Sequence, residues 1–141
     1  MNIEGFRLAW RWTQPSHTVL PPQVLASITP LSAHEAARLY NYGAELFGQH
    51  VHTAVTHQCS DDSETTRIWL EDLSIRRDQR MFVVWDRATA VTLPWGTFTT
   101  YWDDFCYPSS DDVYVLPEID GSVLAWSHEE VFKFVEYTIV R

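Results

Sequence analysis

Residues 81–93, MFVVWDRATAVTL, constrain the fold more than any other stretch of the chain. MFVVWD and TAVTL are rich in β-branched and aromatic residues, which favour strands, and a tight Asp-Arg-Ala connection at 86–88 joins them. A connection that short can link only antiparallel neighbours, because a parallel crossover needs a dozen or more residues. Ile119-Asp120-Gly121 is a second hairpin-type turn, leading from VYVLPE into SVLAW. The chain is thereby committed to an antiparallel sheet.

Helical signals are interleaved with these strands. Ser32 and Glu35 form an S-x-x-E capping box, and Ala36, Leu39, Tyr40, Gly43, Leu46 and Phe47 recur at helical spacing until Gly48 supplies a stop. The polar loop SDDSET precedes TRIWLEDL, a short helix. Trp95, Phe98, Trp102 and Phe105 form an aromatic stripe on one helix that starts near Pro94 and ends before Pro108. Asp103 and Asp104 then fall in its final turns, where the macrodipole disfavours each by about 0.3–1 kcal/mol. IEGFRLAWRW (3–12) alternates apolar and basic residues like a strand, TQPSHTVLPPQ reads as loop, and HVHTAVTH (50–57) reads as another strand. A second capping box, Ser127 and Glu130, precedes VFKFVEYTIV; capping argues helix there and β-branched content argues strand. The expected fold is α+β, a mainly antiparallel sheet with about three to four helices in a single layer packed on it, in one domain spanning 1–141.

With 141 residues, 45% of them hydrophobic, the chain can bury a core without staples. Cys59 and Cys106 show no CxxC spacing, the first residues lack a leader pattern, and no run reaches the roughly 18–20 apolar residues of a membrane span. A cytoplasmic protein with no membrane association is expected. Net charge is −9 and is lopsided: residues 86–141 hold ten acids against Arg87, Lys133 and Arg141, a balance of −7. That half repels nucleic acid and anionic membrane, and attracts basic surfaces.

Two chemistries compete for the acidic segment YWDDFCYPSSDDVYVLPE. One is acid–base or metal work: His50, His52 and His57 could hold a metal, with Asp103/Asp104 and Asp111/Asp112 converging across the intervening turn and His128 as a base. A strand would place His50 and His52 on one face but His57 and Cys59 at opposite parity, and no G-x-S-x-G, HExxH or phosphate loop is present. Cys106, at a helix C-terminus among acids, is expected to be an unreactive filler. Base stacking fails on sign, since its aromatics would need Lys and Arg beside them. The other chemistry is protein docking, with Trp102, Asp103, Asp104, Tyr107, Asp111, Asp112 and Tyr114 as aromatic anchors ringed by steering carboxylates. Bland roles oppose it: the stripe aromatics sit at core spacing, and Ser110 or Asp111 can cap a turn. Docking is the favoured reading, without cofactor, metal or catalytic residue.

The stretch from RMFVVWD through YWDDFCYPSSDDV to SHEEVFKF, about the C-terminal 60 residues, resembles the small acidic immunity proteins encoded beside bacterial polymorphic and contact-dependent toxins. The likeness lies in size, acidity and Trp-rich α+β character, and no functional residue is carried over from it. It implies a protein that binds and neutralises a cognate toxin with a basic surface, such as a nuclease.

Overall fold

The structure, a computed structural model, describes residues 3–119 and 121–137. Seven strands are present: β1 (Thr29–Pro30), β2 (Val55–Gln58), β3 (Arg80–Asp86), β4 (Thr89–Pro94), β5 (Val113–Pro117), β6 (Ser122–Ser127) and β7 (Val131–Glu136). They form one sheet in the order β1-β4-β3-β5-β6-β7-β2, antiparallel at every seam. Six α-helices accompany it among the described residues: α1 (Trp10–Thr13), α2 (Pro22–Ala26), α3 (Ala33–His50), α4 (Ser63–Glu71), α5 (Trp95–Thr100) and α6 (Trp102–Phe105). The architecture is α+β, with more helices than the three to four expected.

Those helices lie on both faces of the sheet rather than in one layer. The inward residues of each strand divide by parity. Val84 of β3, Leu116 of β5, Val123 of β6 and Val135 of β7 pack with Ala36 and Leu39 of α3. Met81 and Val83 of β3, Val113 and Val115 of β5, Leu124 and Trp126 of β6, and Phe132 and Phe134 of β7 face the opposite way. There they meet Leu8, Trp12, Leu70, Trp95, Phe98, Trp102 and Phe105. Central strands buried on both sides read as continuous apolar runs, which is why MFVVW does not alternate.

The start of the chain corrects the strand expected at 3–12. Residues 3–5 form a 3-10 turn and α1 follows, with successive bonds such as Phe6 N–H to Ile3 C=O and Trp12 N–H to Ala9 C=O, 3.1 and 3.0 Å. Leu8, Arg11 and Trp12 are buried while Arg7 and Trp10 are exposed, a spacing of three to four. The apparent alternation required Arg11 to face solvent, and Arg11 is instead buried against Asp111.

Other boundaries shift for local reasons. Ser32 Oγ accepts the Glu35 N–H at 3.2 Å as expected, but α3 runs through Gly48 to His50. Gly48 keeps ordinary helical backbone, with open space where a Cβ would stand, so nothing forces a stop. The strand expected at 50–57 is reduced to β2. Asp62 caps α4 by accepting the Glu64 N–H at 3.0 Å, so the helix begins inside the expected polar loop. The aromatic stripe breaks at Tyr101 (φ −119°, ψ 26°) into α5 and α6, which puts Asp103 and Asp104 in a first turn and removes the dipole conflict. Ser127 and Glu130 cap no helix: Glu130 N–H bonds to Ser127 C=O at 2.8 Å in a turn, Glu130 takes φ 64°, and VFKFVE continues as β7. The turn expected at 119–121 includes Asp120, outside the described residues; Gly121 has φ 137°, a conformation that favours glycine.

Candidate partner-binding site

The α3 face of the sheet is only partly covered. Tyr114 of β5, Ala125 of β6, Lys133 of β7 and Thr56 of β2 lie side by side across it, and α3 crosses at one side of this row. Gly43 sets how closely the helix approaches: a Cβ there would stand 3.3 Å from Leu116 Cδ1 and 3.4 Å from Tyr114 Cβ. Tyr40 and Phe47, a turn to either side of it, flank the Tyr114 ring at centroid distances of 5.7 and 6.2 Å. The uncovered remainder is a cleft of about 920 Å³, lined by these rings and by Asp86, Arg87, Asp112, Glu129 and Lys133.

One end of the sheet is acidic. Strand direction brings together the end of β3 (Asp86), the approach to β5 (Asp112), the β6–β7 turn (Glu129, Glu130) and the exit from β2 (Asp61, Asp62). Those six carboxylates face Arg7 and Arg87, besides the internally matched Arg11 and Asp111. Arg7 is bound to Asp86 at 2.8 Å and to Thr89. Arg87 lies over the Tyr40 ring at 4.7 Å and donates to Asn41 Oδ1. Among the described residues, Arg87 and Lys133 are the arginine and lysine side chains with no carboxylate within 4.0 Å, and both border the cleft.

The seven residues expected to form one docking surface divide into three places. Asp112 and Tyr114 share the cleft. Asp112 Oδ1 accepts the His128 backbone N–H at 2.9 Å and lies 3.0 Å from His128 Nδ1; that hydrogen bond raises the imidazole's pKa. Asp112→Asn should therefore lower the His128 midpoint, read by NMR titration.

Asp111 and Tyr107 belong to a second group, which corrects Asp111 as a surface carboxylate. Arg11 clamps it with bonds of 2.7 and 3.0 Å, while Tyr107 N–H and Ser110 Oγ donate to it at 2.8 and 3.0 Å. The Arg11 guanidinium also lies 4.0 Å from the Tyr107 ring centroid and 5.5 Å from that of Trp10. Burial works to raise the Asp111 pKa, but these donors prevail and hold it below the usual carboxylate range. Burial raises the Tyr107 hydroxyl.

Trp102, Asp103 and Asp104 lie on α6, on the opposite face of the sheet. Trp102 is buried, its indole N–H donating to Ser63 C=O at 3.0 Å, so it is a core residue rather than an anchor. Asp104 accepts Thr18 Oγ1 at 2.7 Å, with burial raising its pKa; Asp103 is exposed.

The histidines do not converge. His50 stacks on Tyr137 at 5.1 Å, His57 stacks on Trp69 at 4.9 Å with its Nε2 2.9 Å from Thr66 Oγ1, and His52 lies in an exposed turn. Among the described residues, no three His, Cys, Asp or Glu side chains gather as a metal would need. Both thiols are free and burial raises the pKa of each, most strongly for the fully enclosed Cys106. No helix of the described residues is long and apolar enough to cross a membrane.

Sequence reasoning missed Tyr40 and Phe47 as cleft walls because their helical spacing marked them as core. Gly43 midway between them was the available signal, since a glycine inside a helix often marks a close approach. Comparison with protein-family models, curated proteins and solved structures finds no match to this chain.

Proposed function

We propose that this chain is a non-enzymatic, cytoplasmic binding protein of the immunity type, which blocks a toxin by covering a basic surface on it. The observation that carries the reading is the surplus of carboxylates at the strand end, opening directly onto a cleft walled by Tyr40, Phe47 and Tyr114. Aromatic rings give contact area at low entropic cost, and the surrounding charge steers the encounter. Asp112 and Glu129 meet the partner's cations, while Arg87 and Lys133 fix register against its acidic groups. The docking face thus contains Asp112 and Tyr114 of the residues expected from sequence. Asp103, on the other side of the sheet, lies outside it.

Two experiments test this reading. Cells expressing a toxin captured from the native strain with this chain as bait should survive when this chain is co-expressed and die when it is withdrawn; survival unchanged by its loss, or no toxin captured, removes the immunity role. With the captured partner in hand, Asp112→Lys combined with Glu129→Lys should slow association about 10–100-fold at low salt, with the wild-type rate falling steeply as salt rises. Asp103→Lys serves as the control and should leave the rate close to wild type.

A further inference from the structure

The two edges of the sheet are protected very differently. β1 is two residues long and contains Pro30, both common guards against further pairing. β2 closes the other edge with Val-Thr-His-Gln, without lysine, proline or bulge. The Cys59 N–H donates to Glu130 C=O at 2.8 Å, which fixes the phase of the β2–β7 ladder. His57 with Phe132 and Val55 with Phe134 are then the pairs exchanging hydrogen bonds, so Thr56 and Gln58 turn their N–H and C=O groups outward. Among the described residues, no backbone group meets these four.

We infer that β2 pairs antiparallel with β2 of a second copy of this chain, joining two sheets about a two-fold axis. Charge selects that occupant. Residues 49–60, QHVHTAVTHQCS, contain no Asp, Glu, Lys or Arg in a chain that is 21% charged and carries −9 overall. Two such molecules, each carrying −9, repel one another overall, but this uncharged segment lets them approach without opposing like charges. It offers a basic strand no carboxylate of its own. The outward groups are also self-complementary. With the axis at His57, Thr56 of each copy faces Gln58 of the other, and all four outward groups of each copy are satisfied. Val55, 56% exposed, flanks the seam with apolar surface. The pairing lies at the sheet edge and does not depend on the function proposed for the cleft.

Sedimentation of the purified protein over a concentration series tests the pairing. The wild type should show a reversible monomer–dimer equilibrium. Thr56→Pro removes an outward N–H that the β2–β7 ladder does not use, a change edge strands tolerate, and should raise the dimer dissociation constant at least about tenfold. Its melting temperature should stay near wild type, and Thr56→Ala, which keeps the N–H, should still dimerise. Should Thr56→Pro fold poorly, amide exchange on the wild type decides: the Thr56 and Gln58 amides should slow as concentration rises. Monomer at every concentration, a dimer unaffected by the proline, or exchange at these amides independent of concentration would each overturn the pairing.

Discussion

Asp111→Ala should destabilise the protein by about 3–5 kcal/mol, the cost typical of breaking one side of a buried ion pair. Both partners are almost wholly enclosed, with side-chain exposures of 4% for Arg11 and 6% for Asp111. Truncation leaves the guanidinium without its two carboxylate bonds, in a site where its Nε already lacks a partner. It also frees the Tyr107 N–H and the Ser110 hydroxyl that Asp111 accepts. Against a total stability of roughly 5–15 kcal/mol, that loss is a large fraction. The neighbouring Asp112→Ala, exposed, should shift stability by no more than about 0.5 kcal/mol. Urea unfolding of the two variants separates these outcomes, and an Asp111→Ala midpoint equal to wild type would show that the pair does not form.

The pH dependence has a definite sign. Because the folded Asp111 pKa lies below its unfolded value, the pair's contribution is fully present above the ordinary carboxylate range of about 3.9 and is lost as pH falls through the folded pKa. Wild type should therefore lose stability on acidification below that range, and Asp111→Ala should lose less over the same interval.

The second large effect is at Trp12. Trp12→Ala should cost about 3–5 kcal/mol, as large aromatic truncations in packed cores do. Its ring is completely buried, stacked on Phe6 at 5.8 Å and tilted against Phe105 at 4.9 Å, and its N–H donates to Asp104 C=O at 2.9 Å. Trp10→Ala should cost at most about 1 kcal/mol, because Trp10 is 38% exposed and packs mainly on His17 and Tyr107. A strand over 3–12 would bury both tryptophans on one face and make the two substitutions comparable. Thermal melts of the pair thus distinguish the helical turn from the strand directly.

That pair also shows where the sequence was legible and where it was not. Strands β3 to β6 and helix α3 followed from local patterns, since hairpin length, β-branched runs and a Ser cap act within a few residues. The 3–12 segment did not, because its conformation depends on Asp111, one hundred positions away in sequence. Arginine in an alternating pattern reads as solvent-facing unless its carboxylate partner is known. The same distance defeated the docking surface. Asp111 and Asp112 are adjacent in the chain, yet strand parity turns one into the core and the other to the cleft. Charge density along a sequence identified an acidic half, while the grouping of its carboxylates depended on the order of the strands.

Strand order also bears on how this protein is made. β7, the last strand of the described chain, lies between β6 and β2, so β2 emerges from the ribosome about seventy residues before the strand it pairs with among the described residues. α1 likewise waits for the residues around 111 before its arginine is neutralised. The β2 edge of the sheet cannot close until β7 has emerged, and loops of this length make closure slow relative to local contacts. Until β7 has emerged, Val55 and Thr56 lack their ladder partners, which leaves this stretch of the nascent chain open to chaperone capture and proteolysis.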